Sequence, residues 1–140
     1  MKVAVVFWSG TGNTEAMARA VAEGVRKAGA EASLLTSDEF GVEQVAAFDA
    51  FAFGCPAMGA EVLEEDSFDP MFTVCKKALV GKKVALFGSY GWGDGEWMRS
   101  WEERCAEDGI ARAAESVICQ ETPDEDVLNQ CRDLGAALVQ

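Results

Sequence analysis

Near-continuous apolar runs alternate with segments of helical periodicity five times along the chain, and this alternation restricts it to one class of fold. The runs are residues 2–8, 30–36, 49–54 and 84–88, with a fifth somewhere within 110–119. Strands separated by helices must lie parallel, joined by right-handed crossovers. The expectation is an α/β fold, a doubly wound five-stranded parallel sheet in the order 2-1-3-4-5 with helices on both faces. Residues 2–8 and 49–54 are apolar nearly throughout, as central strands covered on both sides must be. Residues 30–36 are less apolar and belong at the sheet edge. At 140 residues the chain is expected to form a single domain, residues 1–140, with a substantial core.

The helices follow from spacing. Residues 14–28 carry Met17, Ala20, Val21, Gly24, Val25 and Ala28 as one stripe, closed by Gly29. A short helical turn is expected at 42–48. Asp69-Pro70 reads as N-cap plus first helical residue, with Phe68, Phe72, Cys75 and Leu79 as the buried stripe and Gly81 as the stop. Trp97, Met98, Trp101 and Cys105 share a helix face, which assigns both tryptophans to the core. Thr122-Pro123-Asp124-Glu125 reads as a capping box with Pro at the first helical position. Val127, Leu128, Cys131, Leu134, Gly135 and Leu138 make the last helix amphipathic.

Three loops of unusual composition follow strands one, three and four. The strand order places them together at the carboxyl ends, where open parallel sheets bind ligands. The first, Ser9-Gly10-Thr11-Gly12-Asn13-Thr14, offers hydroxyls, backbone amides and a helix N-terminus, which together cradle a phosphate. No lysine follows Gly12, as a Walker loop would require, and Glu15 stands where a dinucleotide fingerprint has its third glycine. No Lys or Arg lies between Lys2 and Arg19, so the implied ligand is a single phosphate held by neutral donors. An ordinary strand-to-helix turn has a similar composition. The second loop, Cys55-Pro56-Ala57-Met58-Gly59-Ala60, presents a polarizable Met58. The third, Ser89-Tyr90-Gly91-Trp92-Gly93-Asp94-Gly95, sets two aromatics among glycines. A flat aromatic ligand with a phosphate tail fits between Met58 and Trp92; the competing placement folds Trp92 back into the core.

The net charge of −12 makes nucleic acid and anionic membranes poor partners and basic protein surfaces good ones. With no histidine, imidazole catalysis and His-ligated metals are excluded. Five cysteines without a CxxC pair read as reduced, mostly buried thiols of a cytoplasmic protein. Residue 2 already opens a strand, so no leader peptide is expected, and no apolar run approaches the ~18 residues of a membrane span.

Ser9 to Glu15, Cys55 to Gly59 and Phe87 to Gly93 resemble the three flavin mononucleotide (FMN) loops of short-chain flavodoxins, most of all the clostridial and megasphaeral type. The resemblance covers nearly the whole chain with the motifs in order. It implies a flavodoxin-like sheet and non-covalent FMN, with the phosphate in the loop Ser9, Gly10, Thr11, Gly12, Asn13, Thr14. The ring would lie between Met58 and Trp92, bounded by Pro56, Ala57, Gly59 and Ala60 on one side and by Ser89, Tyr90, Gly91, Gly93 and Gly95 on the other. Glu61 would accept a hydrogen bond from ring nitrogen-3, and a flip of the Gly59-Ala60 peptide would offer the Gly59 carbonyl to nitrogen-5 of the semiquinone. The function implied is a low-potential one-electron carrier shuttling between semiquinone and hydroquinone, not an enzyme. The partners implied are reductases and low-potential iron–sulfur enzymes docking through basic patches on a monomer.

The residues favour a low potential independently. No Lys or Arg falls in the three loops, while Glu61, Asp94 and Glu96 are close in sequence. Each ~1.4 kcal/mol against the anionic hydroquinone lowers a one-electron potential by roughly 59 mV. If the flipped turn is type II, Ala60 needs a positive φ that alanine tolerates poorly, at about 1 kcal/mol. The acidic run Glu61, Glu64, Glu65, Asp66 and Asp69 reads either as a solvated loop or as a docking surface. Other functions fit less well. A receiver domain needs acids where Trp8-Ser9 and Gly54-Cys55 stand, and a Cys-x5-Arg phosphatase needs arginine where Glu61 stands. An FMN-dependent quinone or NAD(P)H reductase remains the alternative, although the chain shows no spare segment for a second substrate pocket.

Overall fold

A computed structural model describes all residues, 1–140. Five parallel strands form one sheet in the order β2-β1-β3-β4-β5: β1 Lys2–Phe7, β2 Glu31–Thr36, β3 Ala50–Gly54, β4 Lys83–Tyr90 and β5 Val117–Gln120. The helices are α1 Asn13–Lys27, α2 Phe68–Cys75, α3 Glu96–Glu107 and α4 Glu125–Val139. The strand order and the edge position of β2 are as the hydrophobic pattern requires. Tight 3-10 turns at Ser37–Glu39 and Val42–Ala47 join β2 to β3, and another at Lys76–Leu79 extends α2.

Alternation along the strands divides the core in two. Phe51 and Phe53 of β3 face α2 and α3, whereas Ala50 and Ala52 face α1 and α4. On the first side aromatic rings fill the layer. Phe53 meets Phe72 edge-on at 5.2 Å, and Phe68 meets Trp101 edge-on at 5.4 Å. Each fully buried Phe contributes about 1.5–3 kcal/mol of transfer free energy. On the second side small residues let helices approach. A Cβ on Gly24 would stand 1.9 Å from the Arg132 carbonyl oxygen, and one on Gly135 would stand 2.1 Å from that of Val21. The α1 and α4 backbones therefore touch.

Local boundaries differ from the sequence expectation where caps decide them. The helix expected to start at Asp69-Pro70 begins at Phe68, because the Glu64 carboxylate accepts from the N–H groups of Asp66, Ser67 and Phe68 at 2.8 Å each. Glu64 is 6% exposed, a cap and not part of an acidic surface. The last helix is capped by Asp124, whose Oδ1 accepts from the Val127 N–H at 2.9 Å. Thr122-Pro123 therefore precedes the helix and does not cap it. Trp8 lies beyond β1, whereas Ser89 and Tyr90, expected in a loop, are the last residues of β4. The fifth strand falls at the end of its expected window and runs one residue past it; earlier in that window Arg112 makes only an isolated bridge with Val84.

Candidate functional site

The carboxyl ends of β1, β3, β4 and β5 surround a cavity of about 320 Å³. Gly10, Thr11 and Asn13 line it from the first loop, and Pro56, Ala57 and Met58 from the second. Ser89, Tyr90 and Gly91 form a third wall, and Trp8 and Glu121 complete it. No lysine or arginine is among them.

The first loop is shaped by its own hydroxyls. Ser9 Oγ accepts from the Gly12 N–H at 3.1 Å and from the Glu15 N–H at 3.3 Å. Gly12 adopts φ 95° immediately before α1, a left-handed conformation suited to glycine. The N-terminus of α1 thus opens toward the loop, where unpaired amides favour an anion. Thr14 and Ser89 are buried with their hydroxyls 2.8 Å apart, which ties the start of α1 to the end of β4.

The second loop makes a tight reversal. Met58 and Val62 exchange backbone hydrogen bonds of 2.9 and 3.2 Å, enclosing Gly59, Ala60 and Glu61. The left-handed residues are Gly59, at φ 21°, and Glu61, at φ 58°; Ala60 is not among them. A left-handed Glu is strained by about 1–2 kcal/mol. Its side chain lies over Gly93, where a Cβ would come 2.3 Å from Glu61 Oε1. That oxygen is covered and receives no hydrogen bond. Desolvation, then the charges of Asp94 and Glu96, pushes the Glu61 carboxyl above its ordinary value, with Arg99 opposing.

The third loop leaves Trp92 69% exposed, so the ring does not fold back into the core. Gly93 and Gly95 have φ near 90°, and Arg99 binds both the carbonyl and the carboxylate of Asp94 at 3.0 Å. Beneath the second loop, burial pushes the Cys55 thiol up to about 12, opposed by the Glu64 N–H and reinforced by the Glu64 and Asp69 charges. Asp69 pairs with Arg104 at 2.9 Å, which removes it as well as Glu64 from the free acidic run. Glu65, Asp66, Asp94 and Glu96 remain exposed.

The three sequence motifs therefore converge, but in unequal roles. Met58 lines the cavity, Trp92 stands in solvent beside it, and Gly93 and Gly95 shape the chain without reaching it. Trp8 and Glu121 escaped sequence reasoning. Both directly follow strands, and the rule that ligands sit at strand carboxyl ends points to them. The donor set suits FMN. Neutral hydroxyls and amides stand at one end and apolar and aromatic surface beyond them; Glu61, its Oε1 unbonded, lies over Gly93 and does not line the cavity.

A sequence profile of the Flavodoxin family matches residues 5–135. The chain is 47% identical to the flavodoxin of Megasphaera elsdenii over 135 residues, 96% of each chain. It is 45% identical to that of Clostridium beijerinckii over 121 residues, 86% of this chain and 88% of the relative. Among solved structures, two-electron reduced Megasphaera elsdenii flavodoxin superposes with a TM-score of 0.89 over 97% of both chains, at 45% identity. Sequence profile, near-full-length relatives and superposed fold agree: the chain belongs to the flavodoxin family.

Proposed function

We propose that the three converging loops hold FMN and that the chain passes single electrons through it to and from other redox proteins. Flavodoxins are electron-transfer proteins that bind FMN non-covalently, so family membership favours electron carriage over two-electron quinone or NAD(P)H reduction. The observation that carries the site assignment is the 320 Å³ cavity itself, bounded by all three motifs and free of cations. Ser9, Gly10, Thr11, Gly12, Asn13 and Thr14 hold the phosphate by hydroxyls, amides and the α1 N-terminus. Pro56, Ala57 and Met58 would flank the ring on one side, followed by the turn of Gly59, Ala60 and Glu61. Ser89, Tyr90 and Gly91 would form the other side, with Trp92 exposed beside them and Gly93 and Gly95 shaping the loop that carries it.

FMN supplies the redox chemistry, and the chain sets how easily the ring accepts negative charge. Carboxylates at Glu61, Asp94 and Glu96 raise the free energy of a reduced, anionic ring. Arg99 is the one cation that opposes their effect on Glu61. A low potential follows. The exposed acids Glu65, Asp66, Asp94 and Glu96 suit basic patches on reductases and low-potential iron–sulfur enzymes, and such attraction fades with salt. A net charge of −12 disfavours self-association, in keeping with a monomer. No helix is long and apolar enough to cross a membrane, and the free buried cysteines suit a reducing cytoplasm.

An anaerobic reductive titration followed by visible absorbance tests the reading. A yellow protein passing through a blue one-electron form before bleaching is expected. Direct bleaching would favour two-electron chemistry, and a preparation that takes up no added FMN would refute the cradle.

A further inference from the structure

Trp97 and Trp101 lie one turn apart on α3, and both are buried, 1% and 2% exposed. Their indole nitrogens differ. Trp101 Nε1 has no hydrogen-bond partner. Trp97 Nε1 donates to the Cys55 carbonyl at 3.1 Å. That carbonyl stands at the base of the second loop, next to Pro56, which has no N–H to anchor this stretch. β4 holds the backbone around it, through Cys55 N–H to the Phe87 carbonyl at 3.2 Å and Ala57 N–H to that of Ser89 at 2.9 Å. The Cys55 carbonyl itself is pressed against Gly88, where a Cβ would come within 2.3 Å of it. On its other flank the Trp97 ring lies 5.4 Å from that of Tyr90, a wall of the cavity. Trp97 thus stands behind two walls of the site while touching none of its interior.

We propose that Trp97 is a positioning residue for the FMN site: its indole N–H fixes the Cys55 carbonyl, and with it the departure of the second loop, while its ring backs Tyr90. The proposal rests on the assignment of the cavity to FMN. Without the indole N–H, a buried carbonyl loses its donor and the loop can relieve that loss only by moving. Trp101 provides an internal control, being a tryptophan of the same helix and similar burial with no bond to any loop.

The test compares Trp97→Phe with Trp101→Phe in the full chain. Urea unfolding of the flavin-free proteins reports packing, and fluorescence titration reports FMN affinity. Both variants are expected to unfold at lower urea. Trp97→Phe alone is expected to weaken FMN binding, by about fivefold to tenfold, and to alter the visible absorbance of the bound flavin. Equal weakening in the two variants, or none in Trp97→Phe, would overturn the proposal. Should Trp97→Phe not fold, the wild-type indole N–H resonances decide. On adding FMN the Trp97 signal is expected to shift and exchange more slowly, with that of Trp101 unmoved; a stationary Trp97 signal overturns the proposal. A wild-type chain that takes up no FMN overturns the cofactor assignment as well, which separates the two failures.

Discussion

Where α1 crosses α4, Gly24 lies against the Arg132 backbone and Gly135 against that of Val21; across the sheet, α2 and α3 stand off on Phe53, Phe68, Phe72 and Trp101. The glycine seam has no volume to redistribute, because its contacts are backbone on backbone. The aromatic layer consists of rings that can tilt and repack. The loops between β3 and α2 and between β4 and α3, which carry Met58 and Trp92, grow from the aromatic side. Rigidity therefore lies on one side of the sheet and adjustable parts of the site on the other.

The largest effect expected is at the seam. Gly24→Ala adds one carbon, yet it must push two helices apart, at about 3 kcal/mol. Urea unfolding measures it, and FMN affinity of the folded fraction should stay within about twofold. On the aromatic side, Glu64→Ala strips three N–H groups of their acceptor and should cost about 2 kcal/mol. Because Glu64 sets how the second loop enters α2, this variant should also weaken FMN, which the seam variant should not. Phe72→Leu reshapes a whole ring but should cost only about 1.5 kcal/mol; a loss exceeding that of Gly24→Ala would break the contrast between the two sides.

Smaller effects lie in the second loop. The Glu61 carboxyl is raised, so its contribution to stability is present below the ordinary 4.5 and is lost as pH rises through the raised value. Glu61→Gln in the flavin-free protein should remove that loss, so that the urea midpoint of the variant falls less than the wild type's from about pH 4 to about pH 7. The smallest effect expected is that of Ala60→Gly. If the reduced turn requires positive φ there, glycine should raise the first one-electron potential by a few tens of mV, on the order of 40 mV per kcal/mol. An unchanged potential in a redox titration would remove Ala60 from the account.

The sheet was legible because burial on two faces leaves a plain mark, apolar runs such as residues 49–54 against the mixed run of 30–36. The three loops were legible because glycines and hydroxyls directly after strands have few other uses. Helix starts were misread where the cap lies outside the expected local pattern. Pro70 drew the boundary toward Asp69, but the carboxylate of Glu64 folds back from upstream to cap the helix. The same long reach hid Trp97 among the core tryptophans, since its spacing from Trp101 reports burial and says nothing of a carbonyl 42 residues away. Trp8 and Glu121 join the cavity only through the sheet order.

All five cysteines are free and buried. Burial moves Cys55 and Cys131 from an ordinary 9.0 up to about 12, and Cys75 and Cys105 up to about 11. At pH 7 a thiol titrating at about 12 is ionised in roughly one molecule in 100,000, against about one in a hundred at 9. Reduced flavins leak electrons to dioxygen, and the peroxide that results attacks thiolates far more readily than thiols. Cys55, beneath the second loop, is thus a chemically silent thiol: the dry packing that holds that loop also shields this sulfur from the oxidants a flavin would generate, whereas the Met58 thioether in the cavity wall has no such protection.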